Sequence, residues 1–252
     1  MGRLSGRVAI VTGGAEGIGV TYAKALAAEA AKVCIADIRP FDAVVSAIKA
    51  AGGEAIGQNC DVADAAQVAA MVKATIDAFG RVDVLVNNAA VFARLPNVKH
   101  FEHLSRDEWD LAFNVNVRGV FECTKAVLPQ MRKQGSGKVI NVASGTAFKG
   151  TAGMLHYVAS KGAVVSMTRS LANELGHDNI TCNCIAPGLV MTDAILAQSG
   201  IDHIRSGAIE TRFLKRQQKP EDLAGTLVYL AGSDSDFVTG QIIVVDGGSA
   251  LH

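Results

Sequence analysis

The sequence predicts a single α/β domain built on a doubly wound, parallel sheet of about seven strands with helices on both faces. Three observations carry this. Short, continuously apolar runs recur along the whole chain, as expected of strands buried on both faces of a parallel sheet. Helical segments separate them, the alternation that crossover connections require. The first apolar run ends in a glycine-rich turn that leads straight into a helix. No repeat, low-complexity segment or linker breaks the pattern, so residues 1–252 read as one domain.

The elements follow in order. Strands are expected at Val8 to Val11, Val33 to Ala36, Val82 to Val86, Val139 to Ala143, Ile180 to Ile185 and Ile242 to Val245, with a weaker one at Ala55 to Asn59. Val20 to Glu29 forms the first helix. Val68, Met71, Val72, Ile76 and Phe79 keep helical spacing, with an Asp64/Gln67 capping box before them and Gly80 as a stop. Ser105 and Glu108 open another helix, whose apolar stripe is Trp109, Phe113, Val117 and Val120. Asn116 lies on the edge of that stripe. Either it is a core amide with its partners satisfied, or it marks a helix interruption holding a water. A helix containing Tyr157 continues to about Leu175. Pro220-Glu221-Asp222 opens the last one, since proline suits a first turn and acids suit its positive end.

Composition narrows the function. Apolar residues are 49% of the chain, enough for a large core, so disorder is excluded. Lys plus Arg and Asp plus Glu are 24 each. This balance supplies no basic field for nucleic acid, and zero net charge leaves association unopposed, so a homo-oligomer is expected. The five cysteines read as buried thiols rather than a disulfide framework, Cys182 and Cys184 sharing one strand face. His100 and His103 lack further ligands, and no metal site is expected. Met1 to Gly6 has no secretory character, and no apolar run spans a bilayer, so no membrane partner and a cytoplasmic location are expected.

The turn after the first strand is Thr12-Gly13-Gly14-Ala15-Glu16-Gly17-Ile18-Gly19. Its glycines allow a tight turn and close backbone approach to a pyrophosphate, and the helix behind it offers free N–H groups. The second strand ends at Asp37, beside Ile38. A carboxylate there accepts hydrogen bonds from the adenosine ribose and repels a 2′-phosphate, and position 16 is Glu rather than a cation. Both favour NAD over NADP; Arg39 is close enough to compensate a phosphate. Asp61-Val62, after the third strand, is placed to bracket the adenine.

Tyr157 and Lys161 are four apart on a helix, hence on one face. An ammonium near a phenol lowers its pKa from about 10 and makes it a usable general acid or base. Ser144 follows an apolar strand, at the carboxyl end where open α/β sheets bind ligands, and can hold a substrate oxygen.

These residues together resemble the short-chain dehydrogenase/reductase family over essentially the whole chain. The turn is matched at Thr12, Gly13, Gly17 and Gly19, and Asn87-Asn88-Ala89-Ala90 matches the family's Asn-Asn-Ala-Gly, with Ala in the last position. Pro187-Gly188 and Asp246-Gly247-Gly248 also fit. The resemblance implies a single-domain Rossmann-type fold and a catalytic tetrad of Asn116, Ser144, Tyr157 and Lys161. Tyr157 would exchange the proton and Ser144 hold the substrate oxygen. Lys161 would lower the Tyr pKa and bond the nicotinamide ribose, and Asn116 would anchor a relay water. The Asn88 to Ala90 segment, Pro187, Gly188, Val190 and Thr192 would surround the nicotinamide. A tetramer built through the helices carrying Asn116 and Tyr157 is likewise implied.

Within the family the chain is similar to NAD-dependent enzymes of secondary or benzylic alcohols, as in Ile35-Ala36-Asp37, Gly150-Thr151 through Tyr157 and Asn179-Ile180-Thr181. The Tyr–Lys spacing disfavours the enoyl-reductase branch. Residues 192–218 break the strand–helix rhythm where the family places a substrate lid. Ile195, Leu196, Ile201, Phe213 and Leu214 from it, with Phe92, Phe148, Met154, Leu155, Leu189 and Met191, predict an apolar pocket for an aryl or alicyclic ketone. No Arg or Lys is evident there, which argues against carboxylate or phosphate substrates. His156 points about 100° away from Tyr157 around the helix. The expected activity is NAD-dependent interconversion of a secondary alcohol and its ketone. Alternatives are a pyridoxal-type benzylic alcohol dehydrogenase, a 3-oxoacyl, sugar or steroid reductase, and a non-catalytic NAD sensor.

Overall fold

A computed structural model of the chain describes residues 2–92, 99–197 and 202–251. The strands are β1 (Val8–Thr12), β2 (Lys32–Asp37), β3 (Ala55–Asn59), β4 (Val84–Asn87), β5 (Gly137–Val142), β6 (Ile180–Pro187) and β7 (Ile242–Val245). They form one seven-stranded sheet in the order β3-β2-β1-β4-β5-β6-β7. Every pairing is parallel. The helices are α1 (Gly17–Ala28), α2 (Asp42–Ala50), α3 (Ala65–Phe79), α4 (Arg106–Phe113), α5 (Gly119–Gln134), α6 (Thr146–Lys149), α7 (Leu155–Leu175), α8 (Asp193–Leu196), α9 (Asp202–Glu210) and α10 (Ala224–Ala231).

Side-chain alternation explains the continuous apolar runs. On one sheet face Ala9, Val11, Val33, Ile35, Val84 and Val86 meet Leu26 of α1, Ile48 of α2 and Leu227 of α10. On the other, Ile10, Cys34, Leu85, Val139 and Cys182 meet Met71 of α3, Val127 of α5 and Leu175 of α7. Both faces are covered, so neither set of positions tolerates a charge. Cys182 and Cys184 share the second face, and all five thiols are free and buried.

Caps place the helices. Asp64 accepts from the Ala66 and Gln67 N–H groups, and Gly80 ends α3 in the left-handed conformation. The reciprocal half of the expected box differs: Gln67 Oε1 accepts from the Asp61 N–H at 3.0 Å, one turn earlier. Ser105 and Glu108 form the full capping box of α4. The last helix is entered through a 3-10 turn, Pro220–Leu223. Between α4 and α5 the chain widens into a π-helical segment, Asn114–Arg118. That is the helix interruption expected at Asn116.

β1 lies between β2 and β4, whose connections depart in opposite directions across the sheet. This switch point opens a crevice at the carboxyl ends of the strands. Among the described residues no helix is long and apolar enough to cross a membrane, and no group of three or more His, Cys, Asp or Glu side chains is placed to hold a metal.

Candidate active site

A continuous cleft of about 670 Å³ follows the carboxyl ends of the strands. Its first end is lined by Gly13, Gly17, Ile18, Asp37, Ile38, Asp61 and Val62. Gly13 has φ +62°, and a Cβ there would press on Ala89 at 2.8 Å. A Cβ at Gly19 would fall on the Gly13 carbonyl oxygen. These two glycines are required by the turn's own packing before any ligand is considered. The side chain of Glu16, at the N-cap of α1, makes no capping hydrogen bond, so the first turn of α1 faces the cleft uncapped by a side chain. Such a terminus suits a diphosphate.

Asp37 is 8% exposed. Its Oδ2 accepts from the Ala15 N–H and its Oδ1 from the Arg39 N–H, both at 3.0 Å. The carboxylate is therefore oriented by backbone, with lone pairs left for a diol. The Arg39 guanidinium is ion-paired with Glu16. The cation that the sequence left ambiguous is already engaged by the acid across the turn.

The other end of the cleft is lined by Val142, Ser144, Tyr157, Lys161, Pro187, Gly188, Val190 and Thr192, with Asn88, Ala89 and Ala90 between the two ends. β5 ends just before Ser144, and α7 carries Tyr157 and Lys161 on the face turned to it. Ser144 Oγ accepts from the Thr146 N–H at 3.2 Å and hydroxyl at 3.0 Å. Phe92 packs on Tyr157, ring centroids 4.9 Å apart. Burial pushes the Tyr157 phenol up to about 12, with the Ser144 hydroxyl pulling the other way. Burial therefore sets the net direction, while the Lys161 ammonium stands 5.8 Å from the phenol ring centroid. The Lys161 ammonium donates to the Val142 carbonyl at 2.8 Å, and burial lowers its own pKa to about 8.

Three expected site residues stand behind the cleft wall. Thr12 Oγ1 donates to the Val86 carbonyl and accepts from the Asn88 and Ala89 N–H groups, tying β1 to the end of β4. Gly19 lies beneath Gly13. Asn116 is fully buried; its Oδ1 accepts from the Val91 N–H at 2.9 Å and its Nδ2 donates to Ser160 Oγ at 3.0 Å. The amide is thus satisfied by protein, and it joins the π segment to α7 and to the chain beyond Ala90. Ala90 itself takes no positive φ, so Ala in place of Gly costs nothing in the backbone. Asn87 turns away, its Nδ2 donating to Asn141 and Thr124 in the core.

The pocket's apolar wall is narrower than expected. Phe92, Met154, Leu189 and Ile195 line it. Leu155, Leu196, Phe213 and Leu214 are exposed, Phe148 packs on the Val120–Ala186 cluster, Met191 is not on the cleft wall, and Ile201 lies outside the described residues. His156 is buried on α7 away from the cleft, and neither ring nitrogen finds a partner among the described residues. The expectation of no cation is overturned, because Lys149 and Arg212 both line this end. Sequence reasoning missed them for one reason: Arg212 lies in the 192–218 segment and returns to the sheet only through tertiary contacts. Its guanidinium donates to the Leu189 and Arg216 carbonyls at 2.7 and 2.9 Å. Gln218, also missed, pairs with Val190 in a parallel bridge that closes the base of that segment.

Fold and cleft define an oxidoreductase of the Rossmann type, with a dinucleotide groove running into a Ser–Tyr–Lys wall. The chain belongs to the short-chain dehydrogenase/reductase family. The family profile described as enoyl-(acyl carrier protein) reductase matches residues 13–250. The chain is 41% identical to the (2S)-[(R)-hydroxy(phenyl)methyl]succinyl-CoA dehydrogenase subunit BbsD of Thauera aromatica, covering 98% of each. It is 36% identical to the 3-oxoacyl-[acyl-carrier-protein] reductase FabG of Thermotoga maritima, over 99% of this chain and 100% of that one. The crystal structure of levodione reductase superposes with a TM-score of 0.92 at 34% identity, covering 99% and 100%.

Proposed function

We propose that the protein is an NAD-dependent dehydrogenase/reductase that interconverts a secondary alcohol, aryl or alicyclic, and its ketone. The observation that carries this is one cleft with a backbone-oriented Asp37 at one end and Ser144, Tyr157 and Lys161 together at the other. The glycine turn, the uncapped start of α1 and Asp37 fit a dinucleotide, with Asn88 to Ala90, Pro187, Gly188, Val190 and Thr192 around its nicotinamide. When bound, that cofactor supplies or accepts the hydride.

The chain's own residues manage the proton. Tyr157 holds its proton at neutral pH, the state needed to protonate a ketone oxygen as the carbon is reduced. Ser144, its oxygen already accepting from Thr146, has its own proton to donate to the same substrate oxygen. Lys161 stays cationic near neutrality beneath the phenol ring, 5.8 Å from its centroid, and stabilises negative charge as Tyr157 gives up its proton. Asn116 fixes the spacing between α7 and the Val91 backbone, and the relay water it would anchor belongs to the same reading. The 192–218 segment acts as the substrate lid.

A 3-oxoacyl thioester reductase fits equally. Two of the relatives named above carry acyl-thioester substrates in their names, and the phenyl ring of the hydroxy(phenyl)methyl group in one of those names suits Phe92 and Met154. A pyridoxal-type benzylic alcohol and sugar or steroid ketones are further options, and a NAD sensor would leave the Ser–Tyr–Lys wall without a use. Enoyl reduction is disfavoured by the four-residue Tyr157–Lys161 spacing. A cytoplasmic homotetramer completes the reading.

The test is initial rates with NAD and NADP against 1-phenylethanol, cyclohexanol, pyridoxal, a sugar alcohol and a 3-hydroxyacyl thioester. Turnover of an aryl, alicyclic or 3-hydroxyacyl alcohol with NAD is expected, and Tyr157→Phe should abolish it while NAD binding persists. Turnover retained in that variant would overturn the role of Tyr157.

A further inference from the structure

The substrate end of the cleft holds a polar cluster that proton and hydride transfer leave unused. Lys149, the last residue of α6, reaches across to the Ser249 hydroxyl. Ser249 Oγ in turn lies 2.7 Å from Thr211 Oγ1, just after α9. Three distant stretches therefore meet here: the turn after Ser144, the end of the 192–218 segment and the carboxyl-terminal strap. All three residues line the cleft that Tyr157 and Ser144 line. Arg212 lines the same end.

The charge at this point is unbalanced. No ion pair joins Lys149 to a carboxylate among the described residues, whereas most other surface lysines and arginines with a recorded polar contact have one. The nearby acid is Asp246, and it is occupied: Oδ1 accepts from the Gly248 and Ser249 N–H groups at 3.0 and 2.9 Å, and Oδ2 from Ala250 at 2.8 Å. Asp246 thus shapes the strap. Lys149 and Arg212 together outweigh it by one positive charge. Partial burial lowers the Lys149 pKa; the Asp246 carboxylate opposes this and the Arg212 cation adds to it.

We infer that Lys149, with the Ser249 and Thr211 hydroxyls, is a subsite for an anionic substituent of the substrate, a carboxylate or a phosphate, carried a short distance from the reacting carbon. An ammonium and two hydroxyls supply donors for two oxygens of such a group. Lys149 follows Ser144 by five residues, at the end of the short helix α6, so the subsite belongs to the Ser144 end of the cleft rather than to the adenosine end. The inference rests on the ketone-reductase reading and gives it a substrate class: keto acids or charged acyl thioesters, with the apolar wall taking the rest of the molecule.

The test reads binding, so it does not depend on turnover. With oxidised nicotinamide bound, a ketone cannot be reduced, and its dissociation constant can be measured by calorimetry. Two pairs are compared: 3-oxo-3-phenylpropanoate with its methyl ester, and 2-oxo-2-phenylethyl phosphate with 2-hydroxy-1-phenylethanone. In one pair or the other the anion should bind at least tenfold more tightly, and which pair does so assigns the anion as carboxylate or phosphate. Lys149→Gln should remove that preference while leaving the neutral partner unchanged, and Lys149→Arg should restore most of it. Equal binding within both pairs, no binding of either anion, or an equal loss for both partners in Lys149→Gln would overturn the inference. The two readings fail separately. Turnover of neutral ketones without anion preference sinks the subsite alone, and anion preference without turnover sinks the reductase reading alone.

Discussion

Raising the pH from 7 to 10 should cost this protein a large part of its folding stability, and the reason lies in the core. All five thiols are buried on one side of the sheet. Burial raises Cys34 from 9.0 to about 11, Cys60, Cys182 and Cys184 to about 12, and Cys123 further still. An unfolded thiol ionises near 9, so above that pH the folded chain holds more protons than the unfolded one, and stability falls as pH rises. One unit above the unfolded value each thiol contributes about 1.4 kcal/mol of loss, roughly 7 kcal/mol for the five. Lys161 acts in the opposite sense. Its folded pKa is depressed from 10.5 to about 8. The folded ammonium loses its proton first, and stability rises through that window by about 2–3 kcal/mol at pH 10. The net loss is about 4–5 kcal/mol, most of it between pH 9 and 10, against a typical domain stability of about 5–15 kcal/mol. Urea unfolding under a phosphine reductant, at pH 7, 8, 9 and 10, measures it. A midpoint that holds or rises between pH 8 and 10 would refute the argument from buried thiols.

Two further predictions address cofactor choice and assembly. Glu16→Gln removes the acid that holds Arg39, so the ratio of kcat/KM for NADP to that for NAD should rise about tenfold, worth about 1.4 kcal/mol; an unchanged ratio would show that Asp37 alone sets the preference. Phe121 on α5 is 48% exposed, and Phe121→Glu should shift the expected tetramer to smaller species by light scattering, whereas an unshifted mass would place the interface elsewhere.

Much of the fold is legible in the sequence because both sheet faces are buried. Val8 to Val11 and Val139 to Ile140 can only be strands covered on two sides. β3 is weaker since it is an edge strand ending in Gln58 and Asn59. The strand expected from Val82 begins instead at Val84, although the Asp83 backbone still donates to the Val8 carbonyl and accepts from the Lys138 N–H, both at 2.8 Å. Its carboxylate accepts from the Val8 N–H at 2.8 Å and from Arg81. Asn116 was legible as an oddity, an amide on an apolar stripe, but its partners Val91 and Ser160 are distant in sequence. Lys149 was illegible for the same reason, since Ser249 lies 100 residues away. Local pattern reports what an element buries against its own sheet; it does not report which loop ends meet above it.

The Val190–Gln218 bridge has a consequence for evolution and engineering. Met191 N–H also donates to the Gln218 carbonyl at 3.0 Å, so the two ends of the intervening segment are stitched side by side. A loop whose ends are pinned can change length at little entropic cost, and its contents are insulated from the sheet. The stretch from Asp193 to Gln217 is therefore an exchangeable cassette whose first neighbour, Thr192, stays with the cleft. Among the described residues it is tied to the scaffold by the Arg212 bond to the Leu189 carbonyl, by the Phe213 and Leu214 N–H groups on the Gly247 carbonyl, and by Thr211 against Ser249. New substrate preferences can be written into that cassette while the cofactor groove beneath stays as it is.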